Sequence, residues 1–283
     1  MSIWFTFSMS HCGGLKLDAR RLYNTFMKYK AKMLTERFKQ LLSSWDCVEC
    51  VSLNEAALPE TLDPYFALIV DVFYDGVIPE IPARAKHYGD DISAFESSGN
   101  KDRFLIGDLP VRIEFKHKKN IEDLVSIASK NNEQLWLIKD AGTYGFYRLC
   151  NGDILFSRNG WIDTVRDRLN KLGSGFWTAM RQANQSKMEH FLSDLGAALF
   201  QGDDFFYLIS ESGFIKTACL TLFCINRRFE PSHRAYYKQV MELPVKNDAF
   251  RAQLETFLRS ENDITMERRY ALAQLIARGV IIL

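Results

Sequence analysis

Apolar and polar positions recur along this chain with two different periods, and the period changes near residue 160. Leu22, Phe26, Met33, Leu41 and Leu42 fall near helical spacing with Lys and Arg between them. The stretch from Leu17 to Trp45 therefore predicts one long amphipathic helix opened by Asp18. Short apolar runs follow. Cys47 to Leu53 and Phe66 to Tyr74 predict strands separated by a polar loop holding Pro59, Asp63 and Pro64. After a Pro-rich passage, Val77 to Pro82, and a polar loop, Gly89 to Lys101, the runs Arg103 to Ile106 and Val111 to Phe115 predict a hairpin across Gly107-Asp108-Leu109-Pro110. Ile121 to Lys130 predicts a helix and Leu135 to Ile138 a short strand. Phe146 to Cys150 and Ile154 to Ser157 predict a second hairpin across Asn151-Gly152, a type I′ turn signal.

From Trp161 onward the apolar residues keep helical spacing to the end. Leu192, Leu195, Ala198 and Leu199 make one stripe, Leu220, Phe223 and Cys224 another, and Phe250, Leu254, Phe257 and Leu258 a third. The expected architecture is α+β: a mixed sheet with flanking helices over residues 1–160, then an all-helical domain over 161–283.

Composition narrows the classes. A chain of 283 residues, 47% hydrophobic and 25% charged, can bury the core of one large or two medium domains. With 36 basic against 35 acidic residues, net charge does not indicate nucleic acid or an anionic membrane as partner. No apolar stretch was expected to reach the ~18 residues that cross a bilayer. Met1 to Gly14 lacks the layout of a signal peptide and leaves Met9 and Met27 open as alternative starts. A cytoplasmic protein is expected, and six cysteines without a dense framework agree with a reducing compartment. Cys47-Val48-Glu49-Cys50 has no second pair at zinc spacing and reads as part of a strand. No serine or cysteine hydrolase constellation, dinucleotide loop or phosphate loop of the Gly-Lys-Ser type occurs.

Two acidic residues stand out against this background. Asp71 lies in Phe66 to Asp75 and Glu114 in Val111 to Lys116, runs that otherwise read as buried strands. A carboxylate there must be paired, protonated or at the sheet rim, because an unpaired buried charge is very costly. Two such carboxylates are the raw material of a divalent-metal site, and Asp75, on the same strand face as Asp71, is a third candidate ligand. Lys116, His117, Lys118 and Lys119 form the densest basic cluster, at the end of the Glu114 strand and before a helix expected from Asn120. The cluster is either a solvated strand end or a grip for phosphates assisted by that helix. The aromatic groups Phe176-Trp177 and Phe205-Phe206-Tyr207 read as core.

The order of helix, strand, loop with Asp63-Pro64-Tyr65, strand ending Asp71-Val72-Phe73-Tyr74 and strand Val111-Arg112-Ile113-Glu114 resembles the polymerase-β-like nucleotidyltransferase superfamily. The segment Phe146 to Gly160 looks like the closing hairpin of its aminoglycoside-type branch. Phe223-Cys224-Ile225-Asn226-Arg227-Arg228-Phe229-Glu230-Pro231 is similar to a turn in the helical domains that follow such enzymes. The resemblance implies a nucleotidyltransferase-like α+β domain, an NTP substrate and Mg²⁺ or Mn²⁺ held by carboxylates. Two metal ions ~3.5–4 Å apart stabilise the attacking and leaving oxygens of phosphoryl transfer.

Here the phosphate-binding turn of that family reads Asn54-Glu55, and the two metal aspartates fall on Ala67 and Ile69. In a shifted register Asp71 takes the second aspartate position and Glu114 the third. What the resemblance implies is then metal-assisted nucleotidyl transfer to an unknown acceptor, with Asp71, Glu114 and Asp75 as metal ligands and Lys116 and Asn54 near the nucleotide. A catalytically inactive member that binds a nucleotide or a protein partner is the alternative. Arg84 is similar to a basic position after the Asp strand in some relatives. Asp71 with Glu114-Phe115-Lys116 also has the form of a PD-(D/E)-x-K nuclease signature, and Asp71, Arg112 and Glu114 alternatively form a structural ion-pair network.

Overall fold

A computed structural model describes residues 29–54, 68–130, 133–259 and 264–283. The expectations that fall on residues 1–28, on Glu55, on Asp63-Pro64-Tyr65 and on Ala67 lie outside the described residues. The chain divides into two compact units. The first holds residues up to Asn120 together with Asn151–Trp161, and the second holds Ile121–Cys150 and Ile162–Leu283. The expected division at 160 thus differs for residues 121–150, which go with the helical unit.

The first unit is built on a six-stranded mixed sheet. Its strands are β1 (Val48–Leu53), β2 (Leu68–Tyr74), β3 (Ile92–Ser97), β4 (Lys101–Ile106), β5 (Leu109–His117) and β6 (Asp153–Ser157), in the spatial order β3-β4-β5-β2-β1-β6. Neighbours run antiparallel except β2 and β5, which are parallel with Asp71 beside Glu114. Helix α1 (29–43) places Ala31, Leu34, Phe38 and Leu42 at helical spacing on one sheet face. There they meet Leu68, Val70 and Val72 of β2 and Val111, Ile113 and Phe115 of β5, all nearly inaccessible to water. Each such side chain contributes roughly 1.5–3 kcal/mol by leaving water. Because strand side chains alternate, this core commits Ile69, Asp71 and Phe73, and likewise Arg112, Glu114 and Lys116, to the opposite face.

The β4–β5 hairpin forms as expected and is longer, turning at Gly107, whose φ of 61° is a left-handed value. Two elements appear where loops were expected. Helix α2 (Ile81–Tyr88) starts with a proline in its first turn, where the missing N–H costs nothing. Strand β3 is a mostly exposed edge with a register shift between Ser93 and Glu96 and Ala94 at positive φ, which hides any alternation in its sequence.

The second unit begins with most of α3 (Lys118–Lys130), a 3-10 turn (Glu133–Leu135), α4 (Trp136–Ala141) and α5 (Tyr144–Asn151). Here the expected strands at 135–138 and 146–150 are corrected to helix. Leu135 with Ile138, and Phe146 with Leu149, are buried at i, i+3 spacing, which a helix satisfies and a strand does not. Asn151 ends α5 and Gly152 follows it, so the pair turns no hairpin, and β6 pairs with β1.

After α6 (Trp161–Asn170), helices α7 (Ser174–Gln201) and α8 (Asp204–Ile225) form a long hairpin. Gly202 closes α7 in the left-handed conformation, and the Asp203 carboxylate accepts the Phe206 N–H at the start of α8. The helices α9 (Tyr236–Met241), α10 (Phe250–Phe257) and α11 (Met266–Ile281) complete a core around Leu195, Phe214, Leu222, Phe250, Leu254 and Ile276. Contrary to expectation, α8 is long and apolar enough by length and composition to cross a bilayer; half of its most apolar window is buried within the protein.

Candidate functional site

The polar face of the sheet gathers the predicted site residues. Asp71 of β2 is a Cα neighbour of Glu114 on β5 and of Ser52 on β1, and Glu114 is in turn a neighbour of Lys101 on β4. Asp71 is 1% exposed. Its Oδ2 accepts a hydrogen bond from Asn54 Nδ2 at 3.1 Å and lies 3.0 Å from the Lys116 ammonium. The same ammonium is 3.9 Å from Glu114 Oε2, and Lys101 stands 3.3 Å from Glu114 Oε1. Lys116 Nζ also sits 5.8 Å from the centre of the Phe73 ring, a favourable place for a cation. The sheet therefore does bring Asp71, Glu114, Lys116 and Asn54 together, with Lys116 bridging the two carboxylates.

Asp75 is placed elsewhere. It follows the end of β2, its backbone N–H donates to Cys47 O, and its half-exposed carboxylate is 3.9 Å from Lys118. Lys118 lies equally far from Glu49. Of the basic cluster, His117 Nδ1 accepts from the Lys119 N–H, and its ring meets Tyr74 edge-on. Only Lys116 reaches the Asp71–Glu114 pair.

The donor set can be judged against a divalent metal. A two-metal site needs several converging oxygen ligands, whereas here Ile69, two residues before Asp71 on the same strand face, carries none and Asp75 is turned to Lys118. Among the described residues no group of three or more His, Cys, Asp or Glu is arranged to hold a metal ion. An ammonium already stands 3.0 Å from Asp71 Oδ2. The described residues do not present the ligand set of a two-metal centre.

Arg84 has a structural role. Its guanidinium is bidentate to Asp102, with Nε to Oδ2 at 2.8 Å and Nη2 to Oδ1 at 3.0 Å, and it also donates to Pro79 O, Gly99 O and Ser97 Oγ. It lies over the Phe115 ring at 4.9 Å. Tyr88 donates to the same Asp102 at 2.5 Å, and burial first, then this bond, push its phenol far above the ordinary range. Burial opposes the Arg84 charge, and the Asp102 bonds more than restore it.

The polar face also carries Arg112, expected in an ion-pair network, and Arg103, which the sequence reading passed over. Arg103 of β4 and Arg112 of β5 are direct Cα neighbours, on the face shared by Lys101 and Glu114. Neither side chain makes a hydrogen bond or ion pair among the described residues, so Arg112 is not part of the expected Asp71–Glu114 network, whose cation is Lys116. Like charges directly opposite on a sheet are destabilising. The alternation Arg112-x-Glu114-x-Lys116 against Lys101-x-Arg103 would have found them. Cys50 is buried within β1 as part of the strand, and the described cysteines are all free thiols.

No model of a known protein family matches the chain, and no curated protein does. Among solved structures it is similar to a nucleotidyltransferase-like protein from Exiguobacterium sibiricum 255-15. The two are 13% identical over 90% of this chain and 74% of that one, with a TM-score of 0.45.

Proposed function

We propose that the first unit is a nucleotidyltransferase-like domain that binds nucleotide phosphates on its sheet face without metal-assisted transfer. One observation supports this choice over the active enzyme: the Lys116 ammonium lies 3.0 Å from Asp71 and 3.9 Å from Glu114, between the two carboxylates expected to hold a metal. An internal cation neutralises the carboxylates, so they need no external ion. It leaves Arg103 and Arg112 as the charge that calls for an outside partner. A phosphate chain supplies several anionic oxygens in reach of a guanidinium fork. Arg112 lies two residues from Glu114 on the same strand face, so phosphates on the arginines would rest beside the Asp71–Glu114 pair.

The test is a thermal-shift titration with each NTP, with and without Mg²⁺ or Mn²⁺, on the wild type, Arg112→Ala and Asp71→Asn. The expected result is stabilisation by nucleotide that does not need metal, weakens in Arg112→Ala and survives in Asp71→Asn. A ligand at 100 times its dissociation constant stabilises by about 2.7 kcal/mol. Metal-dependent stabilisation lost in Asp71→Asn would restore the transferase. The absence of any shift would remove nucleotide binding altogether.

A further inference from the structure

A second basic site lies wholly within the helical unit. The α7–α8 hairpin, the α4–α5 turn and the turn Asn226–Pro231 enclose a cavity of about 440 Å³, within the size of small-molecule sites. Its walls are held firmly. Asn226 ties its turn to the following segment through bonds with Leu222 O, Val245 O and Val245 N. Arg227 takes a left-handed φ of 52°, which turns the chain so that Phe229 is buried against Phe146 and Trp177. The Glu230 N–H donates to Thr143 Oγ1 at 2.9 Å, and the Glu230 carboxylate accepts from the Tyr236 hydroxyl. The motif Asn226-Arg227-Arg228-Phe229-Glu230-Pro231 thus builds one wall and leaves Arg228 lining the cavity.

The charge in this cavity is unbalanced. Lys139, Lys187, Lys216 and Arg228 line it against Asp140 and Glu230, an excess of two positive charges with His233 neutral. Lys187 donates to Lys139 O, while the side chains of Lys139, Lys216 and Arg228 make no hydrogen bond or ion pair among the described residues. Glu230, already engaged by Tyr236, is the carboxylate least free to answer them. A concave surface of one sign concentrates counter-ions. The excess matches the ≈ −1.5 to −2 charge of a phosphate monoester better than the single charge of a carboxylate.

A neighbouring concavity of about 330 Å³ shares Lys216 and His233 with the first and is lined by Ile215, Tyr236, Tyr237 and Leu254. Charge at one end and aromatic and aliphatic surface at the other describe a ligand of mixed character. We propose that this paired cavity binds a small molecule in which a phosphate group is joined to an aromatic body. The phosphate lies among Lys139, Lys187, Lys216 and Arg228, and the ring lies against Tyr236 and Tyr237.

Phenyl phosphate, inorganic phosphate and phenol are the probes, titrated calorimetrically into the full chain. Phenyl phosphate should bind more tightly than inorganic phosphate, and phenol more weakly than either. Lys216→Glu and Arg228→Glu, both at exposed positions, should each cost at least about tenfold in phenyl phosphate affinity. Tyr237→Ala should weaken phenyl phosphate and leave inorganic phosphate unchanged. The phenyl phosphate binding that Lys216→Glu and Arg228→Glu remove should persist in Arg112→Ala of the first unit, which separates this site from the nucleotide site proposed above. Binding that survives Lys216→Glu and Arg228→Glu but is lost in Arg112→Ala would overturn the proposal. So would the absence of binding at about 10 mM phenyl phosphate.

Discussion

If Lys116 has replaced a metal ion, the Asp71–Lys116 pair must carry a measurable coupling energy. The ammonium lies 3.0 Å from a carboxylate that is 1% exposed, and the lysine side chain is 24% exposed. At this separation and an effective dielectric of 20 the attraction is about 5.5 kcal/mol. Withdrawing both charges from water returns much of it, and a net coupling of about 1–3 kcal/mol should remain, as for other hydrogen bonds to charged groups. The assay is a double-mutant cycle in urea over the wild type, Asp71→Asn, Lys116→Met and the double variant, with midpoints compared at constant slope. Lys116→Met should be the more harmful single change, since it removes the cation that lies 3.0 Å from the buried Asp71 charge, and adding Asp71→Asn should recover part of the loss. A coupling below about 0.5 kcal/mol would refute the reasoning. The carboxylate would then be indifferent to the ammonium.

The remaining predictions concern stability and reactivity. Asp102→Ala removes the shared acceptor of Arg84 and Tyr88 and should cost about 3–5 kcal/mol in urea unfolding, the scale for breaking a buried ion pair; a loss under about 1 kcal/mol would show that the arginine's carbonyl partners suffice. Gly142→Ala puts a Cβ 2.7 Å from Glu230 Oε2 at a φ of 80° and should destabilise by about 2 kcal/mol or more, read as a fall in Tm. Burial pushes the Cys219 and Cys224 thiols up to about 12. Neither should be alkylated in the native protein at pH 8, where roughly one thiol in 10⁴ is ionised, and both should react once urea unfolds the chain. Modification of either in the folded protein at the rate of a free thiol would contradict the packing.

The sequence made the centre of the sheet legible and its margins obscure. β2 was readable because a strand covered on both faces shows as a near-continuous apolar run and β5 because a strand buried on one face alternates, and the acids in them announced the polar face. The alternation of β5 put Glu114 and Lys116 on one face, while the resemblance to nucleotidyltransferases was what joined Asp71 to Glu114. Lys116 could not be read as the ion filling the site, because its partner depends on β2 and β5 being parallel and in register. β3 was hidden by its exposure and bulge, and α2 by a proline that marks helix starts as well as loops. The stretch 146–150 was misread because Phe, Tyr, Leu and Cys suit a strand in isolation. The burial of Phe146 against Phe229, more than 80 residues away, decides for helix.

The first unit is interrupted by the chain itself, since residues 121–150 leave for the helical unit before β6 returns to pair with β1. During synthesis β1 is available as soon as Leu53 emerges, yet the strand that covers its outer edge begins at Asp153. For that interval one side of β1 presents unpaired backbone N–H and C=O groups, a template to which a second nascent chain can add. Cutting the gene after residue 120 would make this exposure permanent. A soluble version of the isolated sheet unit therefore needs residues 151–161 joined back by a short linker in place of the excised helices.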